Sequence, residues 1–501
     1  MDLAWDPLIP ILIPILLCSL VYFWRKNRDL PPGPNGIPFL GYVPVFLTSQ
    51  PQDTLMELGK RYGNVFSFYM GKRLVVVLND YAAIKAAYTD QAEIFSGRAG
   101  GFISRYIRLG SEGKAHGFGA PQGTIWKEGR KFMLQTFRDL GMGKSKLQGS
   151  IIDEADRIVR LFTESHGQSF DPFPFLYAGA ANLIGSLCYG ETLDHTEPSF
   201  KQTLASLSVT NAYTAHMEPL QTFQFLRYVP GQFRERWRAV VESRRQILKF
   251  LGDKITEHRK TYFENEIRDY IDAFFHEQAR KKISESEVFR DEELLQNLRG
   301  FFSAGTDTTS KTLQWALLFL LHHPEVQERI HQELDRGIEA GQRVILADRT
   351  KLPYLEAVIR EVQRFANLVP LGLPRANVTE TILLGHRIPV NSVIIPSFKS
   401  VNEDPALWED PMTFDPTRFL DKNGNVHEAP HFIPFSIGKR DCVGASLARM
   451  ELFLLFANIM QRLVIKPPTD SNLPSTTDRI TYLTSSPRPF KVRAILRNQK
   501  D

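Results

Sequence analysis

A short loop around one cysteine near the C-terminus constrains this chain of 501 residues more than any other feature. The loop reads FSIGKRDCVG from Phe435 to Gly444, and a helix-competent run from Ala445 follows it. Gly438 permits a turn with positive φ, and Gly444 lets the backbone lie close to a flat ring. Backbone N–H groups that open the next helix can hydrogen-bond the sulfur of Cys442 and keep it ionised. A lone thiolate in this setting suits the proximal side of a haem iron, where it favours O–O cleavage.

These ten residues resemble, position by position, the haem-binding signature of the cytochrome P450 family, F-x-x-G-x-R-x-C-x-G. The alternative is a buried structural cysteine in a glycine-containing loop, and the presence of all five signature residues disfavours it. The resemblance implies that Cys442 is the axial ligand of haem b (iron protoporphyrin IX). It also implies a cofactor-binding loop made of Phe435, Gly438, Arg440 and Gly444.

Composition narrows the remaining classes of protein. No Gly/Ser-rich linker divides the chain after residue 46, so one large globular unit is the simplest organisation. The net charge is +5, but no stripe of Lys and Arg is interleaved with aromatic residues, so we expect no nucleic-acid binding. Three cysteines cannot form a disulfide framework, and the spacings typical of zinc and of phosphate-binding loops are missing.

Residues 1–28 are predicted to form a membrane anchor. The 18 residues from Pro7 to Trp24 carry no charge, and basic residues follow at once. This length is at the short end for a spanning helix, and the basic cluster predicts that the body of the protein lies in the cytosol. A cleaved signal peptide and a mitochondrial presequence fit the charge pattern poorly, and a buried core helix is the third alternative.

A stiff connector is predicted after the anchor. The stacked prolines of Pro31–Pro34 exclude a helix and resemble the proline-rich hinge of microsomal members of the family, so we assign the hinge to residues 29–45. The resemblance implies a single-pass protein of the endoplasmic reticulum membrane with a catalytic domain, residues 46–501, facing the cytosol. In that orientation the sequon Asn377–Thr379 should stay unmodified.

The body is expected to be mainly α with small β-sheets, as one large cytochrome P450-type haem domain. A β-hairpin is predicted between Gly63 and Leu78, turning at residues 70–72. One long helix is predicted from Asp291 to His322, where Pro324 would stop it. Strands are expected again around residues 382–395 and near the C-terminus.

The long helix contains the segment AGTDTT from Ala304 to Thr309. Gly305 and threonine hydroxyls that bond i−4 carbonyls weaken a helix, so a local widening or kink at Ala304–Gly305 is predicted. The segment resembles the oxygen-binding motif of the family, although a polar-faced core helix is an alternative. The resemblance implies that Ala304 lies beside the haem, that Thr308 donates a hydrogen bond to the bound oxygen and that Asp307 relays protons. Peroxide-rearranging relatives tend to lack this acid–threonine pair, which favours a reductase-dependent monooxygenase.

An aromatic–arginine pair predicts an anion site. Trp126 and Arg130 are four residues apart on a probable helix, so they share one face and could donate to one anion. The alternative is a surface arginine packed on a tryptophan. In the family the matching pair binds a haem propionate, and the remaining implied propionate contacts are Arg98, Arg375 and Arg440.

A second charged pattern predicts a structural cluster. Glu361 and Arg364 are three residues apart on a predicted helix, and an isolated exposed pair of this kind contributes little to stability. The resemblance adds Arg418 as a third, buried partner. The role of this cluster would be to hold the fold that carries the cysteine loop.

The substrate is predicted only by class. Family positions imply a pocket lined by Phe301, Leu371 and Tyr482, hence a lipophilic small molecule. Basic residues in the first loop, which include Arg105 and Arg108, could favour an acidic group or could be a solvated face.

The electron supply is implied by the resemblance. NADPH would supply the electrons through NADPH-cytochrome P450 reductase, with cytochrome b5 as an optional second donor, and O2 would be the co-substrate. The docking surface would include Lys127, Lys131, Arg138 and Lys439. Two other functions stay open: an O2-independent haem-thiolate isomerase or dehydratase, and a non-catalytic haem- or lipid-binding protein.

Overall fold

The computed structural model describes residues 29–37, 40–42, 44–119, 123–141, 145–215, 217–281, 287–469 and 472–497. The predicted membrane anchor at residues 1–28 lies outside the described residues. Within the part of the chain that is described, no helix combines the length and the apolar character needed to cross a bilayer.

The described chain is mainly α-helical, as predicted. In chain order the helices are α1 (Pro44–Leu47), α2 (Pro51–Tyr62), α3 (Tyr81–Lys85), α4 (Phe102–Ile107), α5 (Gly123–Asp139), α6 (Ser145–Thr163), α7 (Phe173–Tyr189), α8 (Pro198–Ala215), α9 (Glu218–Thr222), α10 (Gln232–Thr261), α11 (Tyr270–Lys281), α12 (Asp291–His322), α13 (Pro324–Gly337), α14 (Pro353–Ala366), α15 (Phe398–Asn402) and α16 (Ala445–Arg462).

The strands are short and form small sheets, which also agrees with the prediction. They are β1 (Val65–Met70), β2 (Arg73–Leu78), β3 (Gly97–Arg98), β4 (Arg375–Ala376), β5 (Thr381–Leu383), β6 (His386–Ile388), β7 (Val393–Pro396), β8 (Leu463–Lys466), β9 (Arg479–Thr481), β10 (Ser485–Pro487) and β11 (Arg493–Leu496). Five of them form one sheet in the order β1-β2-β7-β4-β3, and the others pair as β5–β6, β8–β11 and β9–β10.

The predicted hairpin is the first pair of strands in the large sheet. Met70 lies opposite Arg73, so the turn has two central residues, and the first of them, Gly71, has φ +57°. A positive φ is what a two-residue hairpin turn requires. The chain before the hairpin lies against β1, because Ser67 donates its N–H to the Pro32 carbonyl at 2.8 Å and its hydroxyl to the Pro31 carbonyl at 2.7 Å.

The long helix α12 has the predicted bounds, and no wider helical turn interrupts it at Ala304–Gly305, while the kink named as the alternative there stays a prediction. The helical backbone is continuous from Asp291 to His322. A Cβ atom on Gly305 would lie 2.3 Å from Cδ1 of Ile184, on the neighbouring helix α7. Close packing of two helices therefore explains this glycine, and no break in the helix is needed.

Helix α16 leads from the cysteine loop into the core. Residues around its whole circumference are buried, which is typical of a helix enclosed by others. It packs with α6, α12 and α14 in the main hydrophobic core. The cysteine loop is therefore anchored to a helix that lies within the main hydrophobic core.

Candidate functional site

The cysteine loop has the predicted turn. Gly438 has φ +75°, and a Cβ atom on it would lie 1.7 Å from the carbonyl oxygen of Tyr88. The N–H of Cys442 donates to the Phe435 carbonyl at 3.0 Å and closes the loop. Gly444 is the N-cap of α16, so the sulfur stands beside the start of that helix.

The sulfur of Cys442 faces an internal space. Its side chain is exposed to solvent, yet burial within the protein raises the pKa of the thiol. A hydrogen bond from the Gly444 backbone acts in the opposite direction, as predicted for an N–H that stabilises a thiolate. A Cβ atom on Gly444 would approach only Sγ of Cys442, at 3.9 Å. The protein itself does not require this glycine, so the space beside the sulfur is available to a flat ring.

Buried arginines gather next to the loop. Arg98 and Arg375 face each other on the paired strands β3 and β4. The guanidinium of Arg440 lies 3.8 Å over the ring of Trp126, and its Nε donates to the Ser96 carbonyl at 2.7 Å. Burial, and then repulsion among these cations, lowers the pKa of Arg98 to about 10 and that of Arg440 to about 9.

One nitrogen of this group has no partner. Nη2 of Arg375 donates to Ser436 Oγ at 3.1 Å and to the Ile437 carbonyl at 2.8 Å, whereas its Nη1 is buried without a hydrogen bond. Buried cations are costly unless an anion compensates them. The carboxylates of haem propionates would supply that anion, so the arginines fit the predicted cofactor.

Arg130 is bound to the cysteine loop itself, and its predicted contact with a propionate stays a prediction. Its guanidinium forms an ion pair with the carboxylate of Asp441, and its Nη1 donates to the Asp441 carbonyl at 3.0 Å. Helix α5 is thereby attached to the residue that precedes Cys442. Trp126 is buried on the same helix under Arg440, so the predicted pair does reach the cysteine loop.

The oxygen-motif residues lie on two faces of α12. The Thr308 hydroxyl donates to the Ala304 carbonyl at 2.8 Å, which is the predicted i−4 bond. Ala304 is exposed although it lies in the middle of a core helix, so this face opens on a cavity. Asp307 is buried and accepts hydrogen bonds from Lys311 Nζ at 3.0 Å and from Thr484 Oγ1 at 2.6 Å. The predicted proton relay therefore has no direct opening to solvent at Asp307.

A buried acid joins the two motif-bearing helices. The Thr309 hydroxyl, on α12, donates to Oε2 of Glu451, on α16, at 2.9 Å. Burial raises the pKa of Glu451 to about 8, and its Oε1 has no hydrogen-bond partner. Neither this contact nor the one from Thr484 had a sequence signal, whereas Lys311 could have been found by its i+4 spacing from Asp307.

The predicted cluster of Glu361, Arg364 and Arg418 forms. Arg364 donates from Nε and Nη2 to the Glu361 carboxylate, both at 2.7 Å, and Arg418 Nε donates to the same group at 3.2 Å. The side chains of Glu361 and Arg364 are 0% exposed. Both arginines also donate to the Thr413 carbonyl, so the cluster attaches α14 to the segment that leads toward the cysteine loop.

The three residues predicted to line the pocket have different surroundings. Phe301 is buried on α12 and stacks on Phe118 with ring centroids 5.0 Å apart. Leu371 is partly buried against the cluster beneath β1 and β2. Tyr482 is partly buried, and its N–H donates to the Thr484 carbonyl at 3.0 Å. Their role in substrate binding stays a prediction.

A second group of potential metal ligands lies between α10 and α11. His258, Asp269 and Asp272 are buried within ligand reach of one another. His258 Nε2 and Asp269 are hydrogen-bonded at 2.8 Å, and Arg268 forms an ion pair with Asp272. The three side chains are therefore already partnered by hydrogen bonds and ion pairs, which favours a structural role for them.

A family model described as Cytochrome P450 matches residues 31–494 of the chain. Cytochrome P450 2U1 of Homo sapiens is 36% identical, with 95% of this chain and 92% of the relative covered. Cytochrome P450 2H1 of Gallus gallus is 34% identical over 99% of this chain and 100% of the relative. Cytochrome P450 2C44 of Mus musculus is 35% identical, again over 99% and 100%.

Proposed function

This chain belongs to the cytochrome P450 family, and we propose that it inserts one oxygen atom from O2 into a lipophilic small molecule, by hydroxylation or epoxidation. The observation that supports this proposal is the position of Cys442, whose sulfur is open to an internal cavity beside Gly444. The Thr309–Glu451 bond ties the helix after that cysteine to the helix that carries Thr308.

The residues present fit haem b. Cys442 would hold the haem iron through its thiolate, and the propionates would be held by the arginine group with Trp126, namely by Arg98, Arg130, Arg375 and Arg440. When bound, the haem supplies the activation of O2 with electrons that reach it from NADPH through a reductase. Gly438 keeps the loop in its turn, and the arginine group would set the orientation of the ring.

Residues of α12 would transfer protons into the cavity. Thr308 presents a hydroxyl at the cavity face and holds its proton toward the Ala304 carbonyl. Behind it, Asp307, Lys311 and Thr484 form a closed hydrogen-bonded trio. Asp307 would pass protons toward the cavity after Lys311 or Thr484 releases its carboxylate, because O–O cleavage requires protons to be delivered to oxygen.

The membrane arrangement belongs to the same proposal. Residues 1–28 would anchor the protein in the endoplasmic reticulum membrane with the domain in the cytosol, where NADPH-cytochrome P450 reductase and cytochrome b5 are electron donors. Lys127 and Lys439 are exposed on the side of the cysteine loop, and both form ion pairs with Glu93. An acidic partner would compete with Glu93 for these two lysines.

The reduced, carbon-monoxide-bound difference spectrum of the full chain tests the proposal. Thiolate ligation by Cys442 should give a red-shifted Soret band, and Cys442→Ala should lack it. Folded, haem-loaded protein without the band would overturn the proposal. Product formation that needs no O2, NADPH or reductase would instead favour an isomerase or dehydratase.

A further inference from the structure

One face of the long helix α12 holds a loop at its N-terminal end and borders the cavity further along. Five residues follow one another on this helix at intervals of three or four positions and therefore share a face. They are Glu293, Asn297, Phe301, Ala304 and Thr308. Residues 116–118, in the chain between α4 and α5, bind the first three of them.

Glu293 binds two consecutive residues of that loop. Its Oε1 lies 2.7 Å from Nδ1 of His116, and its Oε2 accepts the N–H of Gly117 at 2.8 Å. Glu293 and His116 are both buried, and Gly117 has φ +83°, which favours glycine at this position. On the other side of the imidazole ring, Nε2 lies 3.1 Å from a carboxylate oxygen of Glu112, without the alignment of a hydrogen bond. Both carboxylate oxygens of Glu293 thus fix the loop.

The next residue, Phe118, is fixed by three contacts. Its N–H donates to Oδ1 of Asn297 at 2.8 Å, and Nδ2 of Asn297 donates to the Tyr270 hydroxyl at 3.3 Å, so the orientation of this amide is set. Its ring stacks on Phe301 with the centroids 5.0 Å apart and an angle of 18° between the planes. A Cβ atom on Gly300 would lie 2.6 Å from Cε1 of Phe118, so this glycine makes room for the ring against α12.

The ring of Phe118 stands at the end of the open part of this face. Phe301 is buried beneath it, whereas Phe118 is partly accessible. Ala304, three residues after Phe301, is exposed within the core, so the open space begins within one turn of the stacked rings. Thr308 follows Phe301 by seven residues, which is about 10 Å along the axis at 1.5 Å per residue. A ligand that extends from Thr308 toward the N-terminus of α12 meets Phe118 after about that distance.

We propose that Glu293 and His116 are positioning residues for the substrate site, because they hold Phe118 over Phe301, and that Phe118 limits the length of the ligand. Hydrogen bonds to a carboxylate are stronger than neutral ones, and a buried group that loses its partner favours rearrangement. The loss of either positioning residue should therefore release the loop and move the ring. This inference deepens the proposed function and rests on it.

A neighbouring acid provides a matched control. Glu292 precedes Glu293 on α12, and its Oε1 accepts the hydroxyl of Ser111 at 3.0 Å in an exposed contact with the same loop. Ser111 lies seven residues before Phe118. Glu292→Ala therefore removes one acid and one loop contact at the same turn of the helix, and leaves the contacts of residues 116–118 in place.

Optical titration of the purified holoprotein with 1-alkylimidazoles of increasing chain length tests the proposal. The free ring nitrogen of the ligand binds the haem iron, so the alkyl chain measures the open length from one fixed end. In the wild-type protein each added CH2 group should tighten binding about fourfold until the chain reaches Phe118, and further groups should add nothing. Phe118→Ala should move this limit to longer chains.

The positioning residues are tested with the same ligands. Glu293→Ala and His116→Leu should also move the limit to longer chains, because the ring loses its fixed position. His116→Asn is the conservative variant, since an asparagine amide offers an N–H donor in place of Nδ1, and it should keep the wild-type limit, as should Glu292→Ala. Hydrogen exchange gives a readout that needs no haem. The amide hydrogens of Gly117 and Phe118 should exchange at least about tenfold faster in Glu293→Ala than in Glu292→Ala.

Each other outcome overturns the proposal. Affinity of the wild-type protein that keeps rising with chain length would show that no ring ends the cavity, and this result needs no variant. A limit that Phe118→Ala leaves in place would exclude this ring. An unchanged limit in Glu293→Ala with faster exchange would leave the loop contacts a structural role only, and an equal shift in Glu292→Ala or His116→Asn would exclude the assigned hydrogen bonds. Titration and exchange need no reductase or turnover, so an inactive enzyme would count against the proposed function alone.

Discussion

Glu451 carries a carboxyl group into the contact between α12 and α16, where the hydroxyl of Thr309 is its hydrogen-bond partner. Burial raises the pKa of this acid to about 8, so it keeps its proton at neutral pH. A neutral acid avoids most of the cost of a buried charge. The unfolded chain has no such environment, and there the same group ionises at an ordinary pKa of about 4.3.

The stability contribution of Glu451 should therefore fall as the pH rises. Between about 4.3 and 8 the folded state holds a proton that the unfolded state has lost, and each pH unit costs about 1.4 kcal/mol. Outside this window the contribution is constant. Glu451→Gln removes the effect, so the variant should gain stability relative to wild type as the pH increases from 5 to 8. Thermal unfolding midpoints of both proteins across this range measure it, and a difference that does not change with pH would contradict the assignment.

Two glycines of the cysteine loop should respond differently to alanine. At Gly438 the positive φ alone costs about 1–3 kcal/mol for a side chain, and the new Cβ would collide with the Tyr88 carbonyl. Gly438→Ala should therefore displace the loop and lower both stability and haem content. Gly444 has φ −92° and open space beside the sulfur, so Gly444→Ala should preserve the fold of the apoprotein and weaken haem binding alone. Haem content and the unfolding midpoint of the apoprotein are measured for both variants. Equal loss of apoprotein stability in Gly438→Ala and Gly444→Ala would contradict the expected difference.

At the scale of elements, the bounds of α12 were predictable because local signals set them. Acidic residues begin it at Asp291, and Pro324 follows its end at His322. The interior of the helix was not predictable in the same way. Gly305 suggests a weak point when it is considered alone, but the side chain of Ile184 on α7 occupies the space where a Cβ atom would be. A sequence pattern does not show which partner a helix face will meet.

The ion cluster of α14 should be far more sensitive to mutation than the pair that Arg360 of the same helix makes with the exposed Glu428. Glu361→Gln leaves Arg364 and Arg418 buried without their anion, which should cost about 3–5 kcal/mol. Glu428→Gln is the control, since the side chain of Glu428 is 82% exposed and its pair with Arg360 should contribute less than about 1 kcal/mol. Urea unfolding of the two variants compares them. Similar losses in the free energy of unfolding would mean that the buried cluster stabilises the fold no more than the exposed pair does.

At the scale of the whole molecule, the sequence predicted the mainly helical fold and the order of the motifs. It did not predict the contacts that close the site. Arg130 and Asp441 are 311 positions apart, Thr484 and Asp307 are 177 apart, and Glu451 and Thr309 are 142 apart. A local sequence pattern carries information on a few neighbouring residues only. Contacts between residues this far apart in the chain can therefore be identified only from the folded structure.

The sequon at Asn377 should remain unmodified for a reason that does not depend on membrane orientation. The Asn377 side chain is fully buried, and its Nδ2 donates to the carbonyls of Thr379 and Pro389, both at 2.8 Å. The folded domain cannot present this amide to an enzyme. Endoglycosidase treatment of the full chain made in eukaryotic cells should leave its mass unchanged, and a decrease in mass would contradict the burial.

The large sheet connects the N-terminal entry of the described chain with two arginines beside the cysteine loop. The chain from Pro31 joins the domain at β1, one edge of the sheet, while Arg98 and Arg375 lie on β3 and β4 at the opposite edge. Neighbouring strands are rotated by about 20–25° relative to each other, and hydrogen bonds keep that rotation constant. The direction in which the chain enters β1 is therefore fixed relative to the two strands that carry Arg98 and Arg375. A change in the length of the chain before Pro31 would leave that angle unchanged, because the strands set it.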